Sequence, residues 1–499
     1  MEPNEALKKP WTVCVGSDRL STMLRAEYWE RFRTVQAVMN FQYIRCHGLL
    51  GDELGVVRRD RWEGRERIFY NFSYLDQIFD TMLAHGVKPF VEWGFMPTAL
   101  ASGDDTVFWW KGNITPPKEW GAWADLVGAL TTHWVERYGL DAVRTWLFEV
   151  WNEPNLTNFW KDADQEAYFT LYETTVRAIR DVDSDLRVGG PAICGGSDHW
   201  IESFLSFVQT RQVPLDFFTR HLYMAHAPSL VSPDFFYQSL APVHSPLEEL
   251  QEVRRRIDAA GFSHLPLHIT EFNTSYHPQC PVHDTPLNAA YLAQLLSEVG
   301  GLVASLSYWT FSDLFEEADV PRALFHGGFG LLAREGIPKP TFHLFEFFQH
   351  LGRLVQSRSE HSLVTHTDSG VALMAWNPVL VAGAENPRVV TLTVPWPHGM
   401  ALLRRRRVHD TAANPWGVWS RMGRPRFPDR QTVEFLKLAS VPGIEILVQE
   451  PIGGVLTVEL LLEKNEVTLV EVVPFQDESS TYWGLDDKRI DGYGTGAEA

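Results

Sequence analysis

Cysteine is the scarcest chemically useful residue in this chain: Cys14, Cys46, Cys194 and Cys280 are the only four, widely spaced and never in a CxxC pair. That excludes a disulfide scaffold and a cysteine-built zinc site, and leaves free thiols as the expectation. Long apolar runs are missing as well. No stretch reaches the roughly 20 residues that cross a bilayer, and residues 1–10 carry no apolar signal-peptide core. The reading is therefore a cytoplasmic protein with no membrane partner. Positive charge is in deficit, 44 Lys and Arg against 63 Asp and Glu, for a net charge of −19. Such a surface repels a phosphate backbone, which removes nucleic acid from the expected partners and favours neutral or cationic ligands. Also absent are a GxSxG elbow, a P-loop and an HExxH helix. His221 with His226, and His361 with His366, have no matched second cluster, so neither a metal nor another cofactor is expected.

What is present suffices for two cores, because 499 residues exceed the size at which one hydrophobic core stops growing. From about Trp11 to Gln349, short apolar runs alternate with helical periods, the pattern of βα units around a parallel sheet. Strands are expected at 12–16, 43–47, 88–93, 145–151, 187–190, 216–223, 266–271 and 305–311. Between them Tyr28, Phe32, Val35 and Met39 share one helical face, as do Trp123, Val127, Leu130 and Trp134, and Phe169, Tyr172, Val176 and Ile179. Eight such units predict an α/β fold, a (β/α)8 TIM barrel over 11–352. Beyond 353 the texture changes to strand-like runs between Pro and Gly turns, at 371–377, 388–394, 400–408, 432–438, 444–449, 454–463 and 467–473. This predicts a β-sandwich accessory domain over 353–499. Residues 1–10 are candidates to pack on that sandwich, and 492–496 read as a flexible tail. The basic run 404–407 falls within a strand of an acidic protein, which favours a structural or interface role over nucleic-acid binding.

Two segments carry chemistry. FEVWNEPN (148–155) ends an apolar strand on Asn152 and Glu153 and then breaks at Pro154; LHITEFN (267–273) ends on Glu271 followed by Phe272. A lone strand-end glutamate is usually a solvated surface group. Glu153, however, is enclosed in sequence by Trp151, Pro154, Phe159 and Trp160, and Glu271 lies between an apolar strand and Phe272, so neither setting resembles a charged exterior. In a (β/α)8 barrel catalytic groups sit at the carboxyl ends of strands, here the fourth and the seventh. Two such carboxylates are what glycoside hydrolysis requires: one protonates the leaving oxygen, and the other acts on the anomeric carbon or activates a water. Glu149, inside the fourth strand, reads instead as a structural partner in the barrel interior. The 19 tryptophans suit a sugar cleft, where the C–H face of a pyranose packs on a flat ring, although tryptophan also fills cores.

Five segments in order resemble glycoside hydrolase family 39, the retaining β-xylosidases and their relatives the α-L-iduronidases. They are CVGSDRL (14–20), YIRCHGLL (43–50), WNEPNL (151–156), TEFNTSY (270–276) and YWTFSDLFEE (308–317). Asn-Glu-Pro alone marks only a broad clan of barrel glycosidases; the set covers nearly the whole chain. The resemblance implies a retaining double displacement with Glu271 as nucleophile and Glu153 as acid and then base. The charge on Glu271 keeps the proton on Glu153 until Glu271 is esterified, after which Glu153 can deprotonate water. It also implies that Asn152 binds the sugar 2-hydroxyl, that His221 and Tyr223 bind the sugar or orient Glu271, and that Trp309 is a stacking floor. Glu316, Glu317 and His47 are implied as hydroxyl ligands. The blander alternatives are a structural polar pair, a core tryptophan and a structural histidine.

The substrate implied is a xylo-oligosaccharide, from which an exo-acting β-D-xylosidase removes terminal xylose, with its C5 side closed by Trp309 and Phe315 or by a ring of residues 108–110. One rival is an iduronidase-like enzyme, whose carboxylate-bearing substrate wants a cation such as Arg220 or Arg322. Others are β-glucosidase or α-L-arabinosidase activity, and a catalytically inactive sugar-binding barrel. Family members can be oligomeric, so a homo-oligomer stays open.

Overall fold

In the computed structural model, which describes residues 5–232 and 235–476, all eight expected barrel runs form parallel strands. They are, in chain order, Cys14–Arg19, Tyr43–His47, Lys88–Trp93, Leu147–Val150, Arg187–Ile193, Phe217–Tyr223, Leu267–Asn273 and Ser305–Tyr308. Each pairs with its neighbours in sequence, and the first closes on the eighth through Val15 and Tyr308. The result is a closed barrel. The helices Ala26–Met39, Trp120–Tyr138 and Gln165–Val182 bury the apolar faces read from periodicity, Tyr28 to Met39, Trp123 to Trp134 and Phe169 to Ile179. An apolar stripe packed on the sheet, rather than intrinsic propensity, is what keeps such helices formed. Between strand two and its helix the chain makes an exposed hairpin, Val57–Trp62 paired with Arg65–Tyr70, that the sequence pattern did not suggest.

Beyond the barrel, a six-stranded antiparallel sheet runs in the order Leu354–Ser359, Ser362–Thr367, Gly370–Trp376, Val467–Pro474, Ala401–Val408 and Gly443–Gln449. Arg388–Pro395 pairs with Val455–Leu462 as a second sheet. Leu373, Leu403 and Val470 of the first meet Leu392, Leu456 and Leu460 of the second in one core. The first two of these strands were not expected, and the strand expected at 432–438 is instead the helix Arg430–Ala439. Asp429 caps that helix, its carboxylate accepting the Thr432 N–H at 2.7 Å, and the buried residues Val433 and Leu436 are spaced for a helical face. The capping signal outweighs an apolar pattern that also fits alternation.

The opposite face of the six-stranded sheet joins the barrel core through Ala372, Met374, Trp376 and Leu469. Ala6 bridges Leu354 along the sheet edge. The basic run is structural: Arg405 and Arg407 both bind Glu466, and Arg406 binds Glu471. The segment 492–496 lies outside the described residues. No described helix is long and apolar enough to cross a membrane.

Candidate active site

A charged side chain inside a buried parallel strand must find partners, because an unpaired ion there costs several kcal/mol. Arg45, in strand two, shows how the barrel resolves this. Its guanidinium donates to Glu149 at 2.6 Å, Glu271 at 2.8 Å and the Asn152 side-chain oxygen at 2.9 Å, and lies 2.9 Å from Glu92. Thr270 donates to the second oxygen of Glu149 at 2.9 Å. Glu149 is thus a structural partner at the barrel centre.

Glu271, at the end of strand seven, receives Arg45 on Oε1 and the Tyr223 hydroxyl on Oε2 at 2.7 Å. Burial alone would raise its carboxyl, but the charges of His221, Arg45 and His47 together with the Tyr223 hydrogen bond hold it below the ordinary value of 4.5. It is held as a carboxylate. Burial and the adjacent Glu271 and Glu153 push the Tyr223 hydroxyl well above 10, so it stays a donor.

Glu153 follows strand four in a distorted stretch: Trp151 and Glu153 both take left-handed φ values, 71° and 45°. Non-glycine residues pay of order 1–3 kcal/mol for such conformations and keep them where the surroundings enforce them. Here the Glu153 N–H donates to the Ala192 carbonyl at 2.9 Å, and Glu153 Oε1 shares a 2.8 Å hydrogen bond with His221 Nδ1. Oxygens of Glu153 and Glu271 and a ring nitrogen of His221 all lie within 4.8 Å of one another. Two carboxylates and an imidazole are donors a cation could use, but hydrogen bonds to Arg45, Tyr223 and one another already engage them.

Asn152, Glu153, Tyr223 and Glu271 line a cavity of about 530 Å³ at the carboxyl ends of the strands, with His221 and Arg45 behind them. Its inner end is made by His47, Trp309, Glu317 and Phe329, all buried or nearly so; its mouth is made by Asn158, Phe159, Cys194, Phe236 and Tyr276, the last 45% exposed. Trp309 is set against strand one at Gly16, where a Cβ would run into the indole. His47 Nδ1 donates to Glu92, 2.8 Å away, and its other nitrogen is 3.5 Å from Glu317 and 3.6 Å from Glu271. Burial opposes a charge on His47, yet these three carboxylates raise it well above its ordinary value. Burial pushes Glu317 up to about 7, with His47 opposing and Glu271 and Asp18 adding to the rise.

The structure therefore brings together Asn152, Glu153, His47, His221, Tyr223, Glu271, Trp309 and Glu317. It does not bring Glu316, which turns away from the cavity into ion pairs with Arg19, at 2.9 Å, and Arg25. Two arginines compete for one carboxylate there, so Glu316 is spoken for. Phe315 packs behind Trp309 at 5.8 Å rather than lining the cavity. Arg45 and Glu92 were missed as site residues, although their signal is legible: ions within apolar strands of a parallel sheet must face the barrel interior. Tyr276 comes from the loop after strand seven and Phe236 from a short hairpin strand, Phe235–Tyr237, too brief for periodicity to signal.

The family model for glycosyl hydrolases family 39 matches residues 2–457. The chain belongs to that family. It is 52% identical over 492 residues to a β-xylosidase from Geobacillus stearothermophilus, covering 98% of this chain and 97% of that one. The crystal structure of a monomeric β-xylosidase from Caulobacter crescentus superposes with a TM-score of 0.86 at 34% identity, covering 95% of this chain and 99% of that one. Similarity to the human α-L-iduronidase is 32% over 149 residues, 30% of this chain and 20% of the iduronidase. Among these relatives, sequence likeness along the full length is to the β-xylosidase.

Proposed function

We propose that the chain is an exo-acting retaining β-D-xylosidase that hydrolyses terminal xylose from xylo-oligosaccharides, with Glu271 as nucleophile and Glu153 as acid and base. The observation that carries the mechanism is the approach of the two carboxylates, within 4.8 Å between oxygens. Retaining enzymes hold their pair roughly 5–5.5 Å apart, whereas inverting enzymes need roughly 6.5–9.5 Å to admit a water. In the first step a Glu271 oxygen bonds to the anomeric carbon as the glycosidic C–O bond breaks, and the Glu153 proton passes to the leaving oxygen. In the second, Glu153 takes a proton from water, whose oxygen bonds to the anomeric carbon and releases Glu271. His221 orients Glu153, Tyr223 and Arg45 orient Glu271, and the Asn152 amide, fixed through its oxygen by Arg45, is left to donate to the sugar 2-hydroxyl.

The xylose assignment is supported by full-length similarity to β-xylosidases. Exo action is supported by the burial gradient along the cavity lining, from Trp309 and Phe329, each 1% exposed, to Tyr276, 45% exposed. An iduronidase-like reading lacks a free cation, since His47 is taken up by Glu92, Glu271 and Glu317. Among the described residues lining the cavity none is Lys or Arg; Arg220 is buried against Asp198 and Glu249, and Arg322 is exposed beside Asp319.

A panel of nitrophenyl glycosides tests the sugar. We expect kcat/KM for the β-xyloside to exceed that for the β-glucoside by at least roughly a hundredfold, the discrimination a closed apolar pocket can impose; comparable values would refute the xylosidase assignment. The two glutamates test the mechanism. Glu271→Ala should lose turnover of every substrate, while Glu153→Ala should still be glycosylated by activated substrates, stall, and be rescued by azide to give a β-xylosyl azide. An α-azide from Glu153→Ala would mean that the two roles are exchanged.

A further inference from the structure

Glu92 is a buried carboxylate to which the two reaction steps give no part. It belongs to strand three, in register with Glu149 of strand four, and lies outside the set of described residues that line the cavity. Two donors converge on one of its oxygens: Arg45 lies 2.9 Å and His47 Nδ1 2.8 Å from Glu92 Oε2, while Oε1 has no hydrogen-bond partner among the described residues. Arg45 alone faces three buried carboxylates, Glu92, Glu149 and Glu271, so a second positive charge is wanted there. His47 is placed to hold it. Rings surround the imidazole, Trp309 at 4.7 Å, Phe108 at 5.8 Å and Phe95 at 6.0 Å, and both of its nitrogens point at carboxylates. Nδ1 meets Glu92; Nε2 faces Glu317 at 3.5 Å and Glu271 at 3.6 Å. A neutral imidazole has one proton, and giving it to Nδ1 would turn the Nε2 lone pair toward two carboxylates. An imidazolium presents an N–H to each side.

We propose that Glu92 is a positioning residue for the nucleophile: by holding a proton on each nitrogen of His47 it maintains a positive charge beside Glu271, and so keeps that carboxylate ionised in acid where it would otherwise be protonated. The proposal rests on Glu271 being the nucleophile. The other charged groups facing Glu271 are Arg45 at 2.8 Å and His221 at 3.5 Å, with Glu153 opposing them; Glu317 faces His47 alongside Glu271. Removing the charge of Glu92 has two opposite effects on Glu271. The lost negative charge by itself favours ionisation, whereas the proton that His47 then gives up opposes it. His47 Nε2 lies 3.6 Å from Glu271 and Glu92 touches the opposite nitrogen, so the nearer, positive charge prevails.

The test is the pH dependence of kcat/KM for nitrophenyl β-xyloside, whose acid limb reports the apparent titration of Glu271 with its neighbours in the free enzyme. Glu92→Gln keeps the size and an acceptor oxygen for Arg45 and His47 and removes the charge. We expect its acid limb to rise by about one pH unit, the low end of what an opposite charge within roughly 4–6 Å imposes. Below both limbs, kcat/KM relative to its own plateau then falls about tenfold. His47→Gln should raise the limb by a similar amount, and adding Glu92→Gln to it should raise it no further, because both act through one charge. A merely structural Glu92 lowers the plateau and leaves the limb in place. A limb that stays or falls in Glu92→Gln overturns the proposal, as does a further rise in the double variant. If Glu92→Gln does not fold, Glu92→Asp, which retains the charge, is compared with His47→Gln: the limb should stay in the first and rise in the second, and any other pair of results overturns the proposal. Failure of the underlying reading looks different. Glu271→Ala then retains turnover of the xyloside, and the proposal falls with it; with Glu271→Ala inactive, an unmoved limb counts against Glu92 alone.

Discussion

Glu317 shows how one carboxyl in the cavity ties pH to stability. Its folded value of about 7 lies above its ordinary 4.5, chiefly because of burial. Between those two values the folded chain holds a proton that the unfolded chain releases, so this residue costs stability as pH rises through that window and adds no further cost above it. Glu271 runs the other way: its lowered value contributes stability above 4.5 that is lost as pH falls through the folded value. Glu271 is common to the wild type and to Glu317→Gln, so the difference between the two reports Glu317 together with the His47 it faces. We expect urea denaturation to show Glu317→Gln gaining stability relative to the wild type from pH 4.5 to 7, and a level difference above. A difference that does not change with pH would mean that Glu317 titrates as an ordinary exposed glutamate, contrary to its burial beside His47 and Glu271.

At the scale of elements, what the sequence revealed and what it hid divide along periodicity. The eight barrel strands and three helical faces were legible because a parallel sheet buried on both sides demands unbroken apolar runs, and its helices demand an apolar stripe. Glu153 and Glu271 were legible because strand ends fix where such glutamates go. Glu316 was not, because a carboxylate beside a cavity-lining neighbour reads the same whether it meets a sugar or, as here, Arg19 and Arg25. The helix Arg430–Ala439 was misread because its apolar residues fit both periods, and only the Asp429 cap discriminates. The long connection from strand eight to the helix Pro340–Gln349 carries Glu317 and Phe329 to the cavity with little regular structure of its own. A buried triad anchors it: the Lys339 ammonium lies 2.6 Å from Asp284 and 2.7 Å from Asp313, and it also donates to the Gly328 carbonyl. Lys339→Met removes the only cation of that triad and leaves two buried carboxylates facing each other. Breaking a buried ion pair costs about 3–5 kcal/mol, so we expect a loss of that size in denaturant unfolding, accompanied by a lower kcat/KM as Glu317 and Phe329 lose their support. A loss below about 1 kcal/mol, the worth of a surface pair, would show that the loop is held by other contacts.

At the scale of the molecule, the barrel and the sheets behind it are not beads on a string. Leu363, Ala372, Met374, Trp376, Val408 and Leu469 of the six-stranded sheet belong to the same continuous core as the barrel helices. Polar contacts follow the same seam. Trp376 donates to Gln294 at 3.3 Å, and Lys9 donates to the Leu351 carbonyl at 2.9 Å. The chain also returns on itself, since Leu7 donates to the Arg353 carbonyl at 2.7 Å and Val355 to the Glu5 carbonyl at 2.9 Å. A division at 352/353 therefore cuts through backbone pairing and exposes an apolar face on each side. Domains joined by small polar contacts can unfold in separate steps, but a shared apolar core couples them, because neither part can keep its buried surface once the other opens. We expect guanidinium unfolding followed by tryptophan fluorescence and by far-ultraviolet circular dichroism to give one transition with a common midpoint. The barrel truncated after residue 352 should lack a stable fold. Two resolved transitions, or a truncated barrel that unfolds cooperatively by itself, would show that the seam carries little of the stability and that the sheets are an appended module.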